Sequence, residues 1–159
     1  MQETVLSISE RLTRLNITLP PGTQPSAAYV PCVIAGPLVF VSGHTAKRDG
    51  QPWVGQLGRT MTTAQGQAAA HAVAIALLGT LQEALGDLDR VERIVKLGCL
   101  INSSPDFTEH HLVANGASEL LVQVFGDAGM HARSAFGVAQ VPHGACVEIE
   151  MIVALRHRG

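Results

Sequence analysis

The chain has 159 residues, which is enough for one compact domain with its own core and too few for two full-sized domains. Its formal net charge of −2 and its aromatic share of 4% provide neither the basic surface nor the stacking platforms of nucleic-acid-binding proteins, which argues against that class. Hydrophobic residues make up 47% of the chain and charged residues only 15%, which indicates that other subunits cover part of its surface.

The N-terminal segment from Glu3 to Asn16 carries apolar residues at helical spacing, which predicts an amphipathic helix. The stretch LPPGTQPS that follows breaks regular structure, because it contains three prolines and a glycine. We therefore expect residues 1–27 to form a helix and linker appended to a single domain over residues 28–159. The N-terminus lacks a basic start followed by an apolar run, and polar residues interrupt every long apolar stretch, so we expect a soluble protein without a membrane segment.

The next stretch, AYVPCVIAGPLVFVSG, consists of two β-rich runs around Gly36 and Pro37, which predicts a hairpin. The segment from Thr45 to Arg59 is rich in glycine and polar residues, so it is expected to be a loop with a short strand around Trp53.

Two helices and a strand are predicted in the middle of the chain. The first helix starts after Thr62, which suits a capping box, and stops at Gly86. A β-branched run over residues 91–101 predicts a strand, and the segment from Thr108 to Phe125 carries one apolar stripe and predicts the second helix. With two final strands, this order predicts an α+β fold: a mixed sheet with two main helices on one face, plus the N-terminal helix.

The final strands, in HARSAFGVAQVPHGACVEIEMIVAL, place one arginine and two glutamates in an apolar run. Strand alternation puts Glu148 and Glu150 on one face, and small residues beside Arg133 leave space on its own face. A turn around His143 would pair the two strands as a hairpin, with Arg133 opposite about Val153. The pattern alone leaves two interpretations open: a solvated face or structural Arg–Glu ion pair, and a functional site.

These strands, together with LVFVSGH and VKLGCLINSSPDF, resemble the Rid family, also called YjgF-like or endoribonuclease L-PSP proteins, in its longer chorismate mutase-like branch. The most specific feature is the arginine of ARS followed fifteen residues later by the first glutamate of EIE. The resemblance extends from about Tyr29 to Leu155. It implies the YjgF-like fold and a homotrimer.

The resemblance also implies roles for individual residues. The family's carboxylate-binding arginine falls on Arg133, and its water-positioning glutamate falls on Glu148. The implied substrate-binding residues are Tyr29, Ser42, Gly43 and Asn115, the last of which requires a small insertion. Two residues depart from the family pattern: His44 stands where many members have glutamine, and Ala135 stands where the deaminase branch often has cysteine.

Family members with this arginine hydrolyse reactive enamine or imine acids to 2-oxo acids and ammonia, so the resemblance implies a small-molecule deaminase that needs no cofactor. Two alternatives stay open: a non-catalytic module that binds a small carboxylate and regulates a partner, and an endoribonuclease. No histidines have HxH or HExxH spacing, so no catalytic metal is expected. The cysteines form no CxxC pair, so we expect free thiols in a cytoplasmic protein.

Overall fold

The computed structural model describes residues 5–25 and 27–157, and it has an α+β fold built on one five-stranded mixed sheet. The strands are β1 (Cys32–Ala35), β2 (Leu38–Thr45), β3 (Lys47–Arg48), β4 (Gln51–Pro52), β5 (Val91–Asn102), β6 (Ala132–Val138) and β7 (Val147–Leu155). The α-helices are α1 (Ile8–Arg14), α2 (Thr63–Leu85) and α3 (His110–Phe125). The fold class predicted from the order of elements is confirmed. The segment after Thr45 forms a small separate hairpin, β3–β4, where a loop with one short strand was predicted.

The strand order of the main sheet is β1-β2-β7-β5-β6, and all neighbours are antiparallel except β5 and β6. The predicted hairpin between the last two strands is therefore wrong, because β5 lies between them. Arg133 pairs with Leu97 on one edge of β5, and Met151 of β7 pairs with the same residue on the other edge. The connection over residues 139–146 is longer than a tight hairpin loop, and it carries the chain past the end of β5.

Helices α2 and α3 pack against each other on one face of the sheet, as predicted. A capping box begins α2: the Thr62 hydroxyl accepts from the Gln65 N–H, and the Thr62 N–H donates to the Gln65 side chain. Gly86 ends α2 with φ 77°, a conformation that glycine adopts without strain. By length and composition α2 could cross a membrane, but 56% of its most apolar window is buried, as in the core helix of a soluble protein.

Helix α1 begins at Ile8 rather than at Glu3, which lies outside the described residues. The reason is local, since Ser7 and Glu10 form a capping box that fixes the first turn after Ser7. The helix packs against α3, and the buried side chain of Leu12 joins the core. Its attachment includes a hydrogen bond from the Ile8 N–H to Asp89 Oδ1, 2.9 Å long.

The face of the sheet that points away from the helices, called here the open face, carries large apolar side chains. Val33, Phe40 and Phe136 are 51%, 43% and 49% exposed. The open face also contains a shallow cavity of about 280 Å³, to which Val33, Phe40 and Glu150 contribute. Apolar patches of this kind mark contact surfaces in soluble proteins.

Candidate active site

The guanidinium group of Arg133 is held against α3 by three hydrogen bonds. Its Nη1 donates to Asn115 Oδ1 at 2.9 Å and to Ser118 Oγ at 3.0 Å, and its Nη2 donates to the His111 carbonyl at 3.1 Å. All three acceptors are neutral, so they orient the guanidinium group without compensating its charge. These contacts place Arg133 at the edge strand β6 on the helix-bearing face of the sheet.

Two N–H groups of Arg133 remain for a ligand. A guanidinium has five N–H donors, and the three hydrogen bonds to α3 use three of them. The Nε–H and one N–H of Nη2 have no acceptor among residues 5–25 and 27–157. Two N–H groups of one planar guanidinium can donate to the oxygens of a carboxylate in a fixed geometry that lysine cannot reproduce.

Further hydrogen bonds hold Ser118, one of the three residues that accept from Arg133. The Ser118 hydroxyl lies 2.9 Å from His131 Nε2, and His131 Nδ1 lies 2.6 Å from the Gly129 carbonyl. A carbonyl can only accept, so Nδ1 carries a proton and donates to Gly129. The contact with His131 holds the Ser118 hydroxyl group in the place where its oxygen accepts from Arg133. The sequence reasoning missed Ser118 and His131, because no local spacing links them to the arginine.

Glu148 lies on the opposite face of the sheet from Arg133. It is the second residue of β7, pairs with Thr45 of β2 and Leu100 of β5, and is half-buried on the open face. Burial raises the pKa of its carboxyl group above the usual glutamate value, and the nearby Glu150 raises it further. The carboxylate rests against the backbone of Gly43, where the Cβ of any other residue would overlap Glu148 Oε1.

A β-bulge in β2 brings Gly43 to this position. Ser42 and Gly43 together oppose one residue of β7, so both face the open side, and the register recovers at His44. The Ser42 hydroxyl donates to the Val30 carbonyl at 2.7 Å, and this bond ties the bulge to the segment that carries Tyr29. Tyr29 is 49% exposed. The residues expected to bind substrate thus fall into two groups, with Ser42, Gly43 and Glu148 near the bulge and Asn115 beside Arg133.

His44 is buried beneath the bulge, on the helix side of the sheet, and is only 4% exposed. Its Nδ1 lies 2.7 Å from the Ser42 carbonyl, and its Nε2 lies 2.7 Å from Thr80 Oγ1 on α2. Burial lowers the pKa of the imidazole, which favours the neutral ring with the Nδ1 proton donated to the Ser42 carbonyl. His44 therefore supports the backbone of the site from below and does not face the open side.

Within one chain the structure excludes the Arg133–Glu148 ion pair that the sequence pattern left open, because the two side chains lie on opposite faces of the sheet. Burial raises the pKa values of the Cys99 and Cys146 thiols to about 11. Both thiols stay protonated near neutral pH and lack the thiolate that nucleophilic chemistry needs.

Comparison with known proteins identifies the family. Residues 9–154 match the family described as "YjgF/chorismate mutase-like, putative endoribonuclease". The chain belongs to the YjgF family. It is also 49% identical over 152 residues to Protein TCP17 of Trypanosoma cruzi. The aligned region covers 94% of this chain and 95% of that protein.

Solved structures of YjgF relatives share the whole fold. Protein Atu1372 of Agrobacterium tumefaciens, described as a protein of unknown function, is 42% identical with a TM-score of 0.86, covering 94% of this chain and 92% of its own. A protein of Shewanella oneidensis described as a "putative endoribonuclease" is 28% identical with a TM-score of 0.90, covering 94% and 100% of the two chains. The resemblance to the Rid or YjgF family seen in the sequence is confirmed.

Proposed function

We propose that the chain is an enamine/imine deaminase that hydrolyses small imine acids to 2-oxo acids and ammonia. The observation that carries the proposal is the set of contacts made by Arg133: three hydrogen bonds to neutral acceptors hold the guanidinium group, and two of its N–H groups have no acceptor among the described residues. A carboxylate bound to that pair has its adjacent C=N carbon fixed in position, and orientation of this kind lowers the barrier to attack by water.

Glu148 acts as the base in this proposal. Water oxygen adds to the carbon of the protonated imine while the carboxylate takes one water proton, which gives a carbinolamine. Glu148 then returns that proton to the nitrogen, and the C–N bond breaks as the hydroxyl group loses its proton to solvent, which forms the C=O of the 2-oxo acid and releases ammonia. A carboxylate with a raised pKa is better matched to this transfer near neutral pH than an ordinary glutamate. The imine carbon is already electrophilic, so the reaction needs no cofactor or metal.

A complete site requires two subunits, because Arg133 and Glu148 lie on opposite faces of one sheet. We propose a homotrimer in which the open face of one subunit meets the edge strand β6 of the next. The exposed Val33, Phe40 and Phe136 on the open face support burial of that surface. The mass measured by light scattering tests this arrangement, since a monomer at working concentration has no complete site.

The cytoplasm is the proposed location of this activity. Cys32, Cys99 and Cys146 are free thiols, which fits a reducing compartment.

The deciding experiment follows imine hydrolysis directly. An amino acid oxidase generates 2-iminopropionate from alanine, and lactate dehydrogenase with NADH reports the pyruvate formed. The protein should raise the rate of pyruvate appearance above spontaneous hydrolysis, and Glu148→Gln should abolish most of the increase.

The two alternatives give different results in the same experiment. A carboxylate-binding regulatory module would bind pyruvate through Arg133 without raising the rate. An endoribonuclease would cleave RNA in a manner lost with Glu148→Gln, although a net charge of −2 predicts weak RNA affinity at physiological salt.

A further inference from the structure

Two buried polar side chains join the core helix α2 to the β-bulge that carries Gly43. Thr80 of α2 is only 3% exposed, and His44 of β2 is buried to a similar degree. Their side chains meet inside the molecule, where His44 Nε2 lies 2.7 Å from Thr80 Oγ1. Buried polar groups almost always have hydrogen-bond partners, so the other partners of this pair show what it connects.

The hydrogen bonds of this pair have one defined direction. The Ser42 carbonyl can only accept, so it takes the Nδ1 proton of His44 at 2.7 Å. Burial lowers the pKa of this imidazole, so near neutral pH Nε2 carries no proton and accepts from the Thr80 hydroxyl group. The Thr80 oxygen in turn accepts from the Thr23 N–H at 3.2 Å. The result is a continuous hydrogen-bond series in which every donor points toward the bulge.

The outer end of the hydrogen-bond series belongs to the linker between α1 and β1. The Gly22 N–H of this linker donates to Glu83 Oε2 at 2.6 Å, about one turn along α2 from Thr80. The Pro20 carbonyl lies so close to Gly79 that the Cβ of any other residue there would overlap it. These contacts place the linker directly on α2 and hold its next N–H group over the Thr80 hydroxyl group.

The inner end of the hydrogen-bond series is the bulge itself. A bulge interrupts the ladder of its strand, and the His44 side chain supplies a donor to the Ser42 carbonyl from within the same strand. The Glu148 carboxylate rests against Gly43, so the position of this backbone sets the position of the carboxylate. Misplacement of a reacting group by about 1 Å can cost about a hundredfold in rate. The hydrogen-bond series therefore reaches the group assigned as the base.

We propose that Thr80 and His44 are positioning residues for Glu148, and that the linker over residues 17–25 forms part of the candidate site by fixing Thr80. This inference rests on the proposed function, because that function assigns Glu148 as the base. Carboxylate binding by Arg133 takes place on the other face of the sheet and does not depend on the bulge. Loss of the hydrogen-bond series should therefore slow hydrolysis and leave the affinity for pyruvate unchanged.

The Thr80 hydroxyl group can be removed without changing the shape of the side chain. Thr80→Val should lower the rate of 2-iminopropionate hydrolysis at least about tenfold at a temperature well below its melting point, with pyruvate affinity unchanged. Thr80→Ser keeps the hydroxyl group and should restore most of the rate. Thr63→Val is the matched control and should hydrolyse as the original chain does, because it removes a hydroxyl group at the start of α2 that donates to Glu109.

The titration of the Glu148 carboxyl group provides a readout that needs no catalysis. Its side-chain carboxyl carbon signal is followed by NMR and assigned by its absence in Glu148→Gln. Burial raises the pKa of this group, and so does Glu150, which every variant retains. If the bulge loosens in Thr80→Val, water reaches the carboxyl group and the titration midpoint should move to lower pH, whereas Thr80→Ser should titrate as the original chain does. A purely structural role of Thr80 would lower the melting temperature and leave this midpoint in place.

Gly79→Ala tests the linker without changing any hydrogen-bonding group. The added methyl group displaces the Pro20 carbonyl, so the Thr23 amide should exchange its hydrogen faster and the Glu148 midpoint should move in the same direction as in Thr80→Val. Alanine favours a helix more than glycine does, so α2 should fold in this variant even if Thr80→Val does not fold.

An unchanged Glu148 midpoint in Thr80→Val would overturn the inference, and so would an unchanged midpoint or an unchanged Thr23 exchange rate in Gly79→Ala. Absence of imine hydrolysis by the original chain would refute the proposed function instead, and the Glu148 titration would still decide whether Thr80 and the linker position this carboxylate.

Discussion

Replacing Arg133 by alanine should separate two roles of this side chain: the hydrogen bonds that join β6 to α3, and the proposed binding of a ligand carboxylate. The three hydrogen bonds to α3 are lost, but the freed acceptors on Asn115, Ser118 and His111 lie where water can reach them. At about 0.5–1.5 kcal/mol for each hydrogen bond, with water replacing part of the loss, the expected destabilisation is about 2 kcal/mol. For a chain of this length that corresponds to a fall in melting temperature of about 4–8 °C, with folding retained.

The effect of Arg133→Ala on ligand binding should be larger. Two charge-assisted hydrogen bonds to a carboxylate contribute about 3 kcal/mol or more together, so affinity for pyruvate should fall at least about a hundredfold. Calorimetric titration with pyruvate and thermal melting make the measurement. Ser118→Ala is the matched control, because it removes one partner of the guanidinium and leaves the ligand-binding N–H groups in place. If Arg133→Ala melts as expected but binds pyruvate as tightly as the original chain, the arginine only ties β6 to α3.

Three further predictions concern the open face and the bulge. Glu148→Gln should keep pyruvate affinity and slow imine hydrolysis, since an amide cannot take a proton. In the original chain, turnover should fall as pH drops through the raised pKa of Glu148, because only the ionised carboxylate accepts a proton. Gly43→Ala should slow hydrolysis by pushing the Glu148 carboxylate aside, whereas Gly98→Ala, which crowds Glu150 instead, should leave the rate unchanged in single-turnover assays. The pKa of His44 is lowered in the folded chain, so as pH falls below about 6.5 the unfolded chain takes up the proton first and the free energy of unfolding decreases. His44→Gln should make that decrease smaller in denaturant titrations carried out at several pH values. If the free energy of unfolding of the variant depends on pH as in the original chain, His44 is not a buried neutral imidazole.

Much of the fold could be predicted because its signals are local. The capping box at Thr62, the stop at Gly86 and the turn at Gly36 each depend on residues a few positions apart. The pairing of β6 with β5 could not be predicted in this way, because parallel strands are joined through a whole intervening helix. The turn at His143 suggested a hairpin, whereas His143 has a left-handed φ of 62° within a longer connection between β6 and β7.

In the candidate site, too, the identity of some residues could be predicted from the sequence, but their positions in the fold could not. Arg133 and Glu148 were singled out by the family's spacing, and that spacing says nothing about which face each side chain occupies. Their separation follows from the register of three strands, with Arg133 level with Leu97 and Glu148 level with Leu100. The inward turn of His44 follows from the bulge, which hydrophobic periodicity does not reveal.

The position of β7 has a consequence for how the protein is made. This strand, which comes last in the order of synthesis among the seven, lies in the middle of the sheet, between β2 and β5. A nascent chain that has not yet produced residues 147–155 leaves both of those strands with unpaired edges, and the apolar side chains of Val39 and Leu97 lack their neighbours. Exposed strand edges are sites of aggregation, so chaperones that act at the ribosome should be needed most before β7 has emerged and paired with β2 and β5.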